Sequence, residues 1–499
     1  MPDGSKGAGL FLTAMKFDIV IDYLVECIGD SVKAMGAEDE KVNKRKESEI
    51  CDAFERYICG IDGDEGNDFF KMAEGDVLYV YTGKYYERAD DVQLSSIIKK
   101  VMEKLGIGIV YCKNSHKMIA TECLHELMSE DRHKFEPDRR YIVFDNGVLD
   151  TVTGKFMEHD VRFKTDVVLH MDYKSDARSA LWDRLITETI PDSGMRTAFQ
   201  EFCGGFLADR NEYKIEYLCL MVGTGRNGKS VVCEAITGIF GDDLVSSYSP
   251  EDLFKSQQSE YRLADINGKL ANYADDVSNR DFSGGDFKRF ISGAKFQGRH
   301  IYGRPFTVTK IPLMLCCVNE IPPTTDDTQG HFRRLLPIVC PNQIADKDVD
   351  VKLPQKLAAP EVKMAIFNWI LEGYRILVES DGKIDISDSI KELKEGIKDD
   401  SNSARRWVRE MGFVKVEPSG GTDPRWQSMK QLMQEYITYC KDFSETPRTA
   451  KTVSKIFKEM GFAAEKRRDT TWYCVGYREV TDFAPRKEEA LPVVEDLPF

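Results

Sequence analysis

At 499 residues the chain is too long for one hydrophobic core and should divide into about three or four folding units. It is 42% hydrophobic and 31% charged, the make-up of folded domains, and its net charge of -15, with a pI near 5.2, excludes a protein that coats polyanions nonspecifically. Any contact with nucleic acid must be a local basic patch, such as the lining of a channel.

The N-terminal apolar stretch, residues 10–28, is interrupted by Lys16, Asp18, Asp22 and Glu26, so it can neither span a bilayer nor serve as a secretory signal. Its acids recur opposite Phe17, Ile21, Leu24 and Ile28, which predicts an amphipathic helix. Residues 1–70 read as a helical region with a polar break over 36–49 and no chemical motif. From Asp76 short β-rich runs begin, at 77–81 and 83–86, with a helical pattern at 94–105. A hairpin signal follows, with 141–144 entering the turn Asp145-Asn146-Gly147 and 148–150 leaving it.

A priming centre would need closely spaced carboxylates on a strand. Asp18 and Asp22 lie at helical spacing and read as a solvated face instead. The thirteen cysteines run from Cys27 to Cys474 without a CxxC pair, which predicts reduced thiols. Cys112, His116, Cys123 and His125 cluster, but their spacing fits no ordinary zinc finger or ribbon. Helices over 179–207, carrying Leu181, Trp182, Leu185, Ile186, Phe199, Phe202 and Phe206, would form a collar, so 71–212 reads as an α+β domain ending in that collar.

A core should occupy 213–380. The apolar run 217–222 leads into Gly223-Thr224-Gly225-Arg226-Asn227-Gly228-Lys229-Ser230, followed by a helical pattern over 231–240 closed by Gly241. This is a P-loop: glycines let backbone N–H groups and the helix N-terminus face phosphate oxygens, Lys229 reaches the β/γ-phosphates of ATP, and Ser230 holds Mg2+. The run 270–274 ends in Asp275-Asp276, one carboxylate for Mg2+ and the other to orient the attacking water. Asn272 makes that strand unusually polar.

Residues 288–310 reverse the charge of the protein, with Lys288, Arg289, Lys295, Arg299, His300, Arg304, Lys310 and no acid. Phe290, Phe296, Tyr302 and Phe306 are interleaved, and Gly293, Gly298 and Gly303 punctuate the stretch like a hairpin. Basic groups can track a phosphate backbone while aromatic rings pack on bases, the pattern of sequence-independent single-strand binding. The buried-strand run 311–318 then delivers Asn319 towards the P-loop, and Arg333-Arg334 opens the strand pattern at 335–339. An arginine there could reach a neighbouring subunit's nucleotide.

Residues 381–424 read as a helical segment and a flexible linker. In 425–480 two helical stripes, one on Met429, Leu432, Met433, Tyr436, Ile437 and Cys440 and one on Val453, Ile456, Phe457 and Met460, precede a hairpin around 466–469, a winged-helix-like order. Lys451, Lys455 and Lys458 decorate the second helix. The tail, 481–499, has a disordered composition.

The ordered set Gly223 to Ser230, Asp275-Asp276, basic hairpin, Asn319 and Arg333-Arg334 resembles the superfamily 3 helicases of the poxvirus-type and phage-type primase-helicase group. By that resemblance Asp275 and Asp276 are Walker B acids, residues 288–304 the B-prime motif with its tip at Tyr302, Gly303 and Arg304, Asn319 sensor 1, and Arg334, or else Arg333, the arginine finger. Strand contacts would fall to Lys288, Lys295, Arg299, His300, Tyr302 and Arg304. Ala294 follows the hairpin's opening glycine where many relatives carry an acid.

The resemblance implies an AAA+-like α/β core, a hexameric ring hydrolysing ATP with Mg2+ at subunit interfaces on single-stranded or forked DNA, a separate primase or polymerase, and a cytoplasmic, phage or viral setting without membrane attachment. The alternative is an ATP-dependent origin-binding initiator, or a DNA-loading or remodelling ATPase that does not unwind.

Overall fold

A computed structural model describes residues 17–34, 44–60, 68–73, 76–107, 115–129, 134–254, 256, 258–275, 277, 284–301, 303–321, 329–421, 423–443 and 446–477. Asp276, Tyr302, Cys112 and the 481–499 tail lie outside them. The fold is mixed α/β with several sheets, and the chain forms two compact units, residues 1–322 with 333–390, and 323–332 with 391–499. No helix among the described residues is long and apolar enough to cross a membrane.

In the first unit, helix Asp18–Ala34 buries Val20, Ile21, Leu24 and Ile28, beside the buried Phe17 that precedes it, and exposes Asp18, Asp22 and Glu26, the face that its spacing predicts. The N-terminal helices do not form a region apart. Ile50, Phe54 and Ile58 of helix Lys44–Cys59 share one core with the meander β1 (Phe70–Ala73), β2 (Val77–Tyr81) and β3 (Tyr86–Ala89) and with helices Asp91–Lys104 and Ser115–Ser129. Asp90 and Gln93 close the first of those helices with a reciprocal capping box. A second sheet, in the order β6 (Phe156–Met157), β5 (Gly147–Asp150), β4 (Tyr141–Phe144) and β7 (Val168–Leu169), contains the hairpin, with Phe144 opposite Gly147 across a two-residue turn.

The core of this unit is a parallel sheet built from β8 (Leu218–Val222), β9 (Val245–Ser246), β10 (Ala271–Ala274), β13 (Leu313–Val318) and β14 (Leu335–Val339), ordered β14-β8-β13-β10-β9. Between β10 and β13 the chain makes an antiparallel hairpin, β11 (Phe296–Arg299) and β12 (Pro305–Val308). β13 is buried throughout and β8 nearly so, as expected for parallel strands covered on both faces. Pro337 is tolerated because β14 is an edge strand and pairs only with β8.

Helices Ser193–Gly204 and Pro360–Glu379 cross at two glycines. A Cβ on Gly204 would come within 2.2 Å of the Tyr374 amide nitrogen, and one on Gly373 within 2.1 Å of the Gln200 carbonyl oxygen. No side chain can occupy that crossing unless the helices separate.

In the second unit, helices Ser403–Glu410, Met429–Asp442 and Ala450–Glu459 pack Trp407, Tyr436 and Phe457 against Tyr473 of the long strand β18 (Thr470–Tyr477). β18 pairs with β15 (Phe413–Lys415), β16 (Trp426–Ser428) and β17 (Ala464–Arg467). Within 381–424, read from sequence as a helical segment and a linker, Trp407 and β15 belong to this core. The Pro/Gly-rich segment before Trp426 is a fixed turn: the Asp423 carboxylate accepts hydrogen bonds from the Ser419 amide and hydroxyl (2.8 and 2.9 Å) and from Arg425 (2.9 and 2.6 Å). The Arg425 guanidinium, followed by the backbone donors, holds that carboxyl well below the usual aspartate range.

Gly373→Ala should lower unfolding free energy by about 1–3 kcal/mol through overpacking, measurable by urea titration.

Candidate functional site

Because the strands of the core sheet are parallel, their carboxyl ends open on one edge, where crevices form in such sheets. Val222 of β8 leads into the glycine-rich loop 223–228, Ala274 of β10 into Asp275, Val318 of β13 into Asn319, and Val339 of β14 into Cys340. Order matters as well as direction, since β13 lies between β8, which leads into the glycine-rich loop, and β10, which leads into Asp275.

Gly225, Arg226 and Gly228 of the loop have φ of 98°, 52° and 79°, so its curl depends on left-handed backbone, and Gly228 sits at the N-cap of helix Lys229–Phe240. A Cβ on Gly223 would collide with the Asn227 amide at 1.8 Å and the Cys340 carbonyl at 2.7 Å. Asn227, buried, donates to that carbonyl at 3.1 Å. Lys229 is also buried. Its ammonium donates to the Gly223 carbonyl at 3.0 Å and lies 3.5 Å from Asn319 Oδ1.

Ser230 Oγ donates to Asp275 Oδ1 at 3.0 Å. Burial, and then the charge of Asp275, raise the pKa of Glu234 one helical turn further on. The structure thus brings Lys229, Ser230, Asp275 and Asn319 together; Asp276 lies outside the described residues. Among the described residues no three His, Cys, Asp or Glu side chains gather as a metal site. The Ser230 and Asp275 oxygens are a hard donor pair that would suit Mg2+ in company with phosphate oxygens. Of the sequence cluster near Cys112, Cys123 is buried, and its carbonyl accepts from the Cys59 thiol.

The polar strand β10 has a structural reason. The Asn272 side chain is fully buried, accepts from Ser246 Oγ (2.9 Å) and the Tyr248 amide (3.0 Å), and donates to the Tyr248 carbonyl (2.7 Å). It holds the short edge strand β9 and the segment after it onto β10.

The basic hairpin is less uniform than its composition suggests. Phe290 and Phe296 are core residues rather than strand-facing rings, and Gly298 lets the hairpin press on helix Ser259–Asp265, where a Cβ would lie 3.0 Å from Ala264 backbone. Arg299 is engaged by Glu260 (3.0 Å) and Tyr261 OH (2.8 Å), and His300 stacks on Phe306 with ring centroids 5.1 Å apart. Burial lowers the His300 pKa. Lys295 and Arg304 are exposed, Lys288 is half-buried, and Tyr302 lies outside the described residues.

Arg333 and Arg334 point differently. The Arg333 side chain is 57% exposed and pairs with Glu216 at 2.8 Å, whereas Arg334 is 12% exposed, donates to Ser292 Oγ at 3.2 and 2.8 Å, and lies 4.0 Å from Glu216. Burial and the neighbouring Arg333 lower the Arg334 pKa.

Sequence reasoning missed a strap over the glycine-rich loop 223–228. Gln343 Nε2 donates to Thr224 Oγ1 (3.0 Å), the Ile344 amide to the Arg226 carbonyl (2.7 Å), and Arg226 pairs with Asp346. It also missed Arg210, which stands between the polar residues Asp209 and Asn211.

Residues 52–191 match the "D5 N terminal like" family and residues 221–334 a family of unknown function, DUF5906. The chain is similar to a protein of Acanthamoeba polyphaga mimivirus named "Putative helicase", 25% identical over 213 residues. That stretch is 40% of this chain and 21% of the mimivirus protein. Two apo structures of the NrS-1 C-terminal region each cover 82% of this chain, with 97% and 96% of their own length, at TM-score 0.46 and 11% and 12% identity.

Asn272→Leu should cost about 2 kcal/mol, since it strands the Tyr248 amide and carbonyl, and a thermal melt would register the loss.

Proposed function

We propose that this protein is an ATP-dependent DNA helicase of superfamily 3 type, working as a ring on single-stranded or forked DNA beside a separate primase or polymerase. The observation that carries the reading is the convergence, on one edge of a parallel sheet, of Lys229, the Ser230–Asp275 pair and Asn319, with a basic hairpin inserted between the strands that deliver Asp275 and Asn319. The D5-like N-terminal match and the helicase-named viral relative support it.

In this reading the ATP phosphates replace the Gly223 carbonyl as partner of Lys229, while P-loop amides and the N-terminus of helix Lys229–Phe240 face their oxygens. Mg2+ held through Ser230 and Asp275 would neutralise charge developing on the transferred phosphoryl group. Asn319 is close enough to Lys229 to orient a γ-phosphate oxygen or the attacking water. Arg333, the more exposed of the pair, is the better candidate to enter a neighbouring subunit's site, which makes turnover depend on assembly. Exposed Lys295 and Arg304 supply the strand contacts.

Lys229→Ala should abolish ATP turnover, measured by phosphate release, and unwinding of a forked duplex with it. A protein that hydrolyses ATP in response to single strands yet never separates the fork would instead be a loading or remodelling ATPase. Arg304→Ala should weaken oligo-dT binding about tenfold by fluorescence anisotropy at low salt, and Arg299→Ala much less, because Glu260 and Tyr261 already occupy its guanidinium.

A further inference from the structure

The basic hairpin leaves the sheet after β10 and returns before β13, and both of its legs are held by one side chain. Arg210 Nη2 donates to the Ile291 carbonyl at 2.5 Å on the entering leg, and Nη1 to the Ile311 and Pro312 carbonyls, each at 3.1 Å, on the leaving leg. Nη2 also donates to the Ile215 carbonyl at 3.0 Å, three residues before β8. Burial away from water lowers the guanidinium pKa to about 10, against the charge of Glu216, which raises it, so it stays charged at neutral pH. Only a planar fork of donors can serve acceptors in so many directions, and the single ammonium of lysine could not.

Next to Ile291 is Ser292, whose hydroxyl accepts from Arg334, and next to Ile215 is Glu216, whose carboxylate pairs with Arg333. Gly293 follows with φ of 68°, and a Cβ there would sit 3.4 Å from the Arg210 guanidinium. The arginine pair, the hairpin root and the strand leading to the P-loop are thereby joined by a continuous set of charge-assisted hydrogen bonds.

We infer that Ser292 and Arg210 are positioning residues that transmit displacement of the Arg333–Arg334 pair to the root of the basic hairpin. The inference rests on the motor reading above. Drawing Arg333 away from Glu216 towards a neighbour's nucleotide shifts the adjacent Arg334, and Arg334 is bonded to Ser292, four residues before β11 of the hairpin. Arg210 keeps both hairpin legs moving as one body. Ser292 touches neither nucleotide nor strand in this scheme.

The test compares the full-length protein with Ser292→Ala, Ser292→Thr and Arg210→Lys. ATP turnover is measured with and without oligo-dT, alongside strand affinity and thermal midpoint. Ser292→Ala should lose about fivefold in strand stimulation while basal turnover and affinity stay within about twofold, and Ser292→Thr, which keeps the hydroxyl, should restore it. Arg210→Lys should uncouple likewise if its thermal midpoint is retained, and Ser292→Ala carries the test if it is not. In a cycle with Arg333→Ala the losses should be non-additive.

Wild-type stimulation in Ser292→Ala would overturn the proposal. A loss that merely tracks reduced affinity or thermal stability would also overturn it, leaving Ser292 a structural residue. Absence of strand stimulation in the unsubstituted protein would instead remove the motor reading, and this inference with it.

Discussion

Parallel pairing is the constraint on which the rest of this site depends. Five strands running the same way bring four loops, far apart in sequence, to one edge, and β13 between β8 and β10 decides which loop lies beside which. Lys229 meets Asn319, 90 residues away, and Ser230 meets Asp275, 45 residues away, because the sheet order makes them neighbours. An antiparallel arrangement of the same segments would scatter these groups to opposite edges.

The polar interior of the sheet follows from the same constraint. A parallel strand buried on both faces has no solvent for a side chain such as Asn272, so the residue must find all its partners within the fold. It does so on Ser246 and Tyr248, extending β9 beyond its two ladder residues. Arg210 is the charged counterpart. Its partial burial is tolerated because backbone carbonyls take its donors.

Much of the architecture was legible where local chemistry decides it. An apolar run followed by glycines and a helical pattern identifies residues 217–240 as strand, loop and helix, and the acid spacing of residues 18–26 identifies a helix face. What stayed hidden depends on distant partners. Phe290 and Phe296 look like strand-contacting rings when counted among lysines and arginines, yet composition does not say which face of a hairpin is covered. Glycine and proline around Asp423 signal a break, and only the folded chain supplies the donors that turn it into a fixed corner. The motif ranks Arg334 ahead of Arg333 as the finger, whereas the contacts to Glu216 and Ser292 leave Arg333 the more exposed of the two.

The bond between the Lys229 ammonium and the Gly223 carbonyl has a consequence for selectivity. In the proposed ATPase, with one Lys229 donor already on the Gly223 carbonyl, phosphate capture would exchange that acceptor, and the free energy gained at that donor would be only the difference between the two. A neutral carbonyl sets a threshold that a lone chloride or a hydrated carboxylate has little to surpass. In the ATPase reading proposed above, a dense, multiply charged phosphate chain, able to engage the loop amides at the same time, would clear it, and the resting loop would filter out small anions.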